Sequence, residues 1–564
     1  MAPPSRMRWL MLAAVVSWSG CGGHGAGRAD AGRDAPSDEA EIVIVIPGSD
    51  GGGGDLADAA DAVSEDAPAD AEADAADGGE DTPPDAGAGV DAGTDAGTDG
   101  PFALDAPPAD LVPEAARDVA PHEVAPPHDT RPKYLGSYAP TTMGSAVPAV
   151  GPDGSIYVAG WFGQTTDFDP GPGQDVRDPV GDTDAFVTKL GPDGSILWTK
   201  TFGGPRSRTQ AMALTVTDKA LVIVGGYSNE VDFDPGEGVQ NRLEGSLIDE
   251  SGFVLQLTTA GDFVWVSTFT GTGECQANGV ALDADGSVYA AGDFSGFCDL
   301  DPGDADDEHM SHGNVNGYLV KLGAADGHAV WAKSFDGDNC VATFASVTTS
   351  SDGLVWATGE LAAACSLDGQ TAPAGTSDTA VAIAAFTPDG APGGLWSING
   401  GDGVSIAGSP DGFVYVAGTL VGVSSTDFDP GPGVVSRTLS PGDNDQTGFV
   451  VKLGPGAAFQ WVQTTSRIWT VALAATDDGG VLWLGQPVAD TQQTVAFTVT
   501  KRDPSGSSPW GLMLPGTGAA PLGVAAGSST FVVTGLTSGL MDLDPGSTVD
   551  AVAGQVSFAS RYSF

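Results

Sequence analysis

The stretch AFVTKLGPDGSILWTKTF at Ala185–Phe202 holds two runs of alternating apolar and polar residues on either side of a Gly-Pro-Asp-Gly turn. Asp-Gly between two such runs is a strong signal for a β-hairpin. Upstream, SAVPAV (Ser145–Val150) and SIYVAGWF (Ser155–Phe162) flank a second GPDG turn and predict another hairpin. The sequence therefore predicts four consecutive antiparallel strands between residues 145 and 202.

A tryptophan in the last of these strands recurs along the chain, at positions 198, 265, 331, 396, 461 and 510. The first five are separated by 65 to 67 residues, and a fixed period of this kind indicates a repeated supersecondary unit. Trp198, Trp265 and Trp331 are each followed by Phe four residues later. Residues i and i+4 of a strand point to the same face, so one strand per repeat is predicted to place two rings in one layer.

The last repeat stops after its third strand, Phe558–Phe564. KYLGSY (Lys133–Tyr138) carries Tyr134 and Tyr138 at the same i, i+4 spacing, and we expect this strand to complete the last repeat. Tandem four-stranded units are typical of a β-propeller. Residues 132–564 are therefore predicted to form an all-β, seven-bladed β-propeller of four-stranded antiparallel blades, closed by the N-terminal strand. The repeats begin near residues 143, 208, 275, 340, 402, 468 and 520.

The repeat as a whole, with GSIYVAGWF, TDFDPGPG and DAFVTKLGPDGSILWTKTFGG, resembles the bacterial β-propeller repeats called SBBP repeats, found in exported and surface proteins. Blades one, two, three and five match this pattern, blade four matches in part, and blade six lacks the Asp-Pro-Gly phrase. The resemblance implies the fold and export. It implies no shared enzymatic activity, because function resides in sites and not in folds.

The start of the chain is typical of an export signal. Two arginines precede an apolar run at Trp9–Ser19, which is too short to span a bilayer and predicts a signal peptide over residues 1–20. WSGC (Trp18–Cys21) resembles a bacterial lipoprotein cleavage box and implies diacylation of Cys21, although Trp18 replaces the usual aliphatic residue. Ordinary secretion is the alternative. We expect an exported outer membrane lipoprotein, periplasmic or surface-facing, that meets the membrane only through its lipid anchor.

The segment that follows has a different composition. Residues 22–130 contain 27 acidic and 3 basic residues among Ala, Gly and Pro. A chain with so much charge and so few apolar residues stays disordered and extended, so residues 21–131 are predicted to be an acidic tether. The formal charge of the whole chain is −53, which argues against nucleic acid as a partner because binding it requires Lys and Arg.

Two pairs of cysteines occupy equivalent places in the third and fourth repeats. Cys275 and Cys340 follow the preceding tryptophan by ten and nine residues, and Cys298 and Cys365 precede the phrases DLD and SLD. These places correspond to the start of the first strand and the end of the second, which antiparallel pairing brings together. We therefore predict the disulfides Cys275–Cys298 and Cys340–Cys365, which an exported protein permits.

A phrase of the form Asp-Phe/Leu-Asp-Pro-Gly follows the second strand in five repeats. Paired carboxylates with loop carbonyls suit Ca²⁺, so Ca²⁺ is a possible cofactor. The alternative is a turn in which Asp accepts hydrogen bonds from nearby backbone, while the Phe or Leu packs between blades. The spacing lacks the later Glu of an EF-hand, and the turn is favoured. The candidate ligands are Asp167 and Asp169, Asp232 and Asp234, Asp299 and Asp301, Asp427 and Asp429, and Asp542 and Asp544.

No catalytic motif is evident. His309 and His312 lack a third metal ligand, and no Gly-x-Ser-x-Gly elbow precedes a helix. We expect a monomeric, non-catalytic binding platform whose loops between second and third strands recognise an envelope or extracellular protein or polysaccharide. The alternative is an enzyme acting on extracellular polysaccharide, a lyase or glycosidase with a site at the channel mouth. A channel mouth lined by Asp, Glu, His and Arg would favour the enzyme. A channel lined by Gly, Ala and Val would favour the binding platform.

Overall fold

The computed structural model describes most of residues 132–564, and all structural statements below concern those residues. The predicted signal peptide (1–20) and tether (21–131), with Cys21, lie outside the described residues. The described part is built of β-strands and one short 3₁₀ helix, Pro455–Ala457. The residues left out within this range are 141–143, 170, 244–249, 304–306, 312–314, 363–364, 372–378, 440–445, 489–494, 545 and 547–549.

The main strands form seven blade sheets of four antiparallel strands each, in sequential order except in the last blade. Short hairpin strands extend two of these sheets to six strands and form four further two-stranded sheets. The first strands of neighbouring sheets contact one another around a complete ring, so they lie at the centre and the fourth strands at the outside. The predicted seven-bladed β-propeller is therefore confirmed. The first strands are Ala146–Val150, Arg208–Val216, Cys275–Leu282, Val341–Ala342 with Ser346–Thr349, Gly401–Gly408, Ile468–Ala475 and Ala519–Ala526. The second strands are Ile156–Phe162, Ala220–Ser228, Val288–Phe294, Val355–Ala362, Val414–Val421, Val481–Pro487 and Thr530–Thr537.

The outer half of each blade follows the same pattern, and the last blade takes its fourth strand from the beginning of the domain. The third strands are Asp184–Leu190, Ser251–Thr258, Asn316–Leu322, Ala380–Phe386, Gln446–Gly454, Val495–Arg502 and Val556–Ser563. The fourth strands are Ile196–Phe202, Phe263–Thr272, Ala329–Asp336, Pro392–Asn399, Ala458–Ser466, Gly511–Pro515 and Lys133–Tyr138. Antiparallel pairing of Lys133–Tyr138 with Val556–Ser563 confirms that the N-terminal strand closes the ring.

One expectation about the closing strand is wrong. Its register shifts between Tyr134 and Gly136, so Leu135 is an extra residue in a β-bulge. An insertion of one residue reverses which face the following side chains point to. Tyr134 therefore packs with the buried cluster between blades six and seven, whereas Tyr138 packs between blades seven and one. The two rings do not share one layer.

A tryptophan in or next to the fourth strand joins each of blades one to six to the following blade. In three blades the indole N–H donates to a backbone carbonyl in the turn between the third and fourth strands of the following blade. These bonds are Trp265 to Ala324 at 3.2 Å, Trp331 to Pro388 at 3.1 Å and Trp461 to Pro504 at 3.0 Å. The turns hold glycine where the ring approaches: a Cβ on Gly327 would lie 2.5 Å from the Trp265 ring.

The other three tryptophans pack beside aromatic rings at their own seams between blades. Trp198 lies 6.1 Å from Tyr157, and Trp396 stacks on Trp356 at 5.6 Å. Trp510 stacks on Phe531 of the next blade at 5.5 Å. Six of the seven seams therefore contain an indole contributed by the outer part of the preceding blade.

The outer edges of several blades are irregular. A β-bulge inserts one residue into the fourth strand, and in four blades this residue is an exposed aliphatic side chain. Because a bulge disrupts the row of unpaired backbone groups, it protects an edge strand from pairing with another chain. The four residues are Leu135, Leu197, Val264 and Val330.

Replacing one buried indole tests how much the seams contribute to stability. The Trp265 side chain is 6% exposed, and we expect Trp265→Ala to lower the free energy of unfolding by about 3–5 kcal/mol because it leaves a cavity. Leu197→Ala removes an exposed side chain and should change it by less than about 0.5 kcal/mol. Urea unfolding of both variants provides the comparison, and equal losses would contradict the role given to the seam.

Candidate functional site

Short hairpins extend from one end of the blades, between the second and third strands, and the Asp-Pro-Gly phrase forms the loop of five of them. In blade four the hairpin is shorter and turns through Asp368 and Gly369, both with positive φ, as in a type I′ turn. The five longer hairpins pair Thr166–Asp167 with Val176–Arg177, Glu230–Asp232 with Asn241–Leu243, Phe297–Asp299 with Glu308–Met310, Ser425–Asp427 with Ser436–Thr438, and Leu540–Asp542 with Ala551–Ala553.

The carboxylates of the phrase organise the loop. In blade five, Asp427 Oδ1 accepts hydrogen bonds from the backbone N–H groups of Asp429 at 3.1 Å and Val435 at 2.7 Å. Asp429 Oδ1 accepts from the Gly431 N–H at 2.9 Å. Glycine is required at the end of the phrase, because a Cβ on Gly433 would lie 2.1 Å from Asp429 Oδ2. The same three bonds are made by Asp167 and Asp169, Asp232 and Asp234, Asp299 and Asp301, and Asp542 and Asp544.

The apolar residue between the two aspartates anchors the loop. Each of these five side chains is fully buried in the seam shared with the preceding blade, as the turn interpretation predicts. In blades three and four the hairpin also pairs with the fourth strand of the preceding blade. The hairpins therefore contribute to the contacts that hold neighbouring blades together. The five anchors are Phe168, Phe233, Leu300, Phe428 and Leu543.

The metal interpretation of the same residues has no direct support. Across the part of the chain that the structure describes, no group of three or more His, Cys, Asp or Glu side chains is placed to hold a metal ion. One oxygen of each first aspartate is engaged by two backbone N–H groups, which fits the turn. Ca²⁺ binding by the hairpins stays a prediction.

His309 links its hairpin to the body of blade three. Its Nδ1 lies 2.7 Å from Ser334 Oγ of the fourth strand, and its Nε2 lies 3.2 Å from Asp307 Oδ1. In blade two, Arg242 occupies the corresponding place and donates to the Val266 carbonyl of its own fourth strand. His309 therefore replaces an arginine in a structural contact. The predicted partner His312 lies outside the described residues.

Both predicted disulfides are present. The Cα atoms are 6.1 Å apart in Cys275–Cys298 and 5.0 Å apart in Cys340–Cys365. Their expected location needs correction: Cys298 lies in the hairpin strand Phe297–Asp299, beyond the end of the second strand. The Cys275–Cys298 disulfide therefore links the first strand of blade three to the hairpin of the same blade. Closing a loop of this length stabilises a fold by about 3 kcal/mol when unstrained.

A cavity of about 470 Å³ lies at the opposite end, where the first strands of blades three to six end. Its lining includes two carboxylates, of Asp283 and Asp477, among Ser, Thr, Gly, Pro and Ala. Asp283 Oδ2 accepts from Tyr289 Oη at 3.0 Å and lies 3.7 Å from Lys321 Nζ. Burial, and then this hydrogen bond, raise the pKa of Tyr289. The lining is thus mixed: Asp283 is engaged in structural contacts, and the described wall holds no His, Arg or Glu.

Sequence reasoning missed a feature of the hairpins that bears on binding. Each of the five long hairpins has a large aliphatic or thioether side chain that is 54–76% exposed, and the hairpin of blade two has a second, Val239. A contiguous exposed apolar patch marks an interaction site, whereas single exposed apolar side chains are common on soluble proteins. What distinguishes these residues is that they recur on hairpins at the same end of five blades. The sequence does contain a signal for this exposure, because single apolar residues stand in otherwise polar runs such as NRL (Asn241–Leu243) and EHM (Glu308–Met310). These residues, which we call the rim residues, are Val176, Leu243, Met310, Val434 and Leu540.

Comparison with known proteins adds little beyond the fold. No family model matches the chain. An uncharacterised WD repeat-containing protein of Acanthamoeba polyphaga mimivirus is 24% identical over 160 residues, which is 26% of this chain, and the match spans about a tenth (11%) of that relative's length. Similar solved structures include the Dos1 propeller, with 10% identity, TM-score 0.37, and coverage of 77% of this chain and 95% of that one. Quinohemoprotein alcohol dehydrogenase from Comamonas testosteroni has 10% identity and a TM-score of 0.34, with coverage of 77% of this chain and 76% of that one.

None of the described residues forms a helix long and apolar enough to cross a membrane.

Substitution at one hairpin separates the turn from the metal interpretation. We expect Asp427→Asn to change stability little, because the amide oxygen still accepts both N–H groups, and Asp427→Ala to cost about 1–3 kcal/mol. The measurement is the melting temperature of each variant with Ca²⁺ and with EDTA. A Ca²⁺-dependent shift in the wild type that Asp427→Asn reduces would contradict the turn interpretation.

Proposed function

We propose that the propeller is a non-catalytic binding platform carried by an exported, lipid-anchored protein of the bacterial cell envelope. The observation that carries the proposal is the set of rim residues, which expose apolar side chains from five equivalent hairpins at one end of the blades. A partner that covers them gains the hydrophobic contribution of burying that surface.

The hairpins are suited to recognition because they are held in place before a partner arrives. In blades two and five, whose hairpin loops are described throughout, the loop is organised by the Asp carboxylates and anchored by a buried Phe. Binding therefore requires little ordering of the loop, which lowers its entropic cost. Aliphatic rim side chains favour a protein partner over a polysaccharide, which proteins commonly bind through stacked aromatic rings and hydrogen bonds.

The lipid anchor and the bacterial envelope location rest on sequence alone. The apolar run Trp9–Ser19 and the WSGC box supply the support, with the resemblance to SBBP repeats. Cys21 is the proposed lipidation site, and the acidic segment 21–131 is the proposed tether between the outer membrane and the ring.

A matched pair of variants tests the platform. Leu243→Ser with Val434→Ser removes two rim residues, and Val264→Ser with Val330→Ser removes two exposed aliphatic side chains from the outer edges instead. We expect cross-linking to envelope proteins to fall at least fivefold for the first variant and to persist for the second, because only the rim contacts the partner. Equal cross-linking by both variants, or turnover of an extracellular polysaccharide by the wild type, would contradict the proposal.

A further inference from the structure

The seam between blades seven and one differs from the other six in lacking an indole. In three blades a tryptophan of the fourth strand lies directly opposite a Lys of the third strand, as Trp331 lies opposite Lys321. In blade six the backbone N–H of Lys501 donates to the Trp510 carbonyl. The corresponding pair in blade seven is Gly136 opposite Arg561. Gly136 has a φ of +131°, a conformation that disfavours any larger residue at this position.

A small cavity lies beside Gly136, which stands where other blades carry the tryptophan. It measures about 90 Å³, and its apolar walls are Ile156 and Leu190 of blade one and Val532 and Ala559 of blade seven. Tyr138 of the closing strand and Asp193 of the blade-one turn also line it. A Cβ on Gly136 would meet no atom within 4 Å, so the cavity continues outward past this residue. We call it the seam pocket.

Arg561 takes over the hydrogen bond that the indole makes at other seams. At the seam after blade three, Trp331 Nε1 and Lys321 Nζ both donate to the Pro388 carbonyl of the next turn. At the closing seam, Arg561 Nη1 donates to the Pro192 carbonyl of the equivalent turn, and Nη2 donates to the Leu135 carbonyl. Arg561 Nε is buried and has no hydrogen-bond partner. The Arg561 guanidinium therefore joins the two blades at this seam and also lines the pocket.

We propose that the seam pocket binds a small planar aromatic compound of the indole or phenol class. The apolar walls match those that hold an indole at the other seams, and a guanidinium attracts the face of an aromatic ring. A dry apolar cavity of about 150 Å³ is large enough to bind benzene. The seam pocket is smaller but open at one side, so a single ring enters edge first and part of it stays exposed.

Indole is the probe for this proposal, used with the full chain. Saturation-transfer NMR and thermal shift measure its binding to the wild type and to Ala559→Leu, which places a larger side chain in the pocket. Leu319 stands at the corresponding place in blade three, so the substitution suits the strand. Ala553→Leu adds the same atoms to an exposed position in the hairpin of blade seven and serves as the control.

We expect saturable binding by the wild type and by Ala553→Leu within twofold of each other, and binding at least tenfold weaker for Ala559→Leu. If Ala559→Leu melts well below the wild type, Ala559→Val provides the same test, since Val187 stands at the corresponding place in blade one. The proposal is overturned if indole gives no saturable response with the wild type. It is equally overturned if the folded Ala559 variant binds indole as well as the control does.

Discussion

The packing of one blade against the next is the constraint on which the structure depends. A four-stranded sheet with apolar side chains on both faces cannot bury them by itself, so each blade needs a neighbour on either side. The indoles of the fourth strands cross the seams, and three of them end on a turn carbonyl of the next blade. The N-terminal strand supplies the outer edge of blade seven and so completes the last blade of the ring.

Repetition made the architecture predictable from sequence. The tryptophan period, the GPDG turns and the truncated last repeat together predicted seven blades and their closure, and equivalent cysteine positions predicted both disulfides. The orientation of Tyr134 and Tyr138 could not be predicted, because a β-bulge at Leu135 depends on local backbone geometry and reverses the side-chain faces. The hairpins were likewise expected only as turns, since their pairing with a preceding blade is a tertiary contact.

The Asp-Pro-Gly phrase illustrates how an acidic repeat can be structural. Its first aspartate holds two backbone N–H groups of the loop, and the Phe or Leu beside it fills a seam between blades. The same geometry keeps the rim residues in fixed positions. The structural role and the proposed binding role thus fall to different residues of the same hairpins. The carboxylates alone suggested a metal site, and the aliphatic residues were overlooked.

Native-state hydrogen exchange of the full chain tests the closed ring most directly. Local opening lets amides exchange at low free energy, whereas amides that exchange only through global unfolding share its full free energy. Closure predicts that the bonded amides of Lys133–Tyr138 are protected to the same level as those of Val556–Ser563 and of the strands of blade three. Fast exchange of Lys133–Tyr138, with the other strands still protected, would show that the ring is held together without its N-terminal strand.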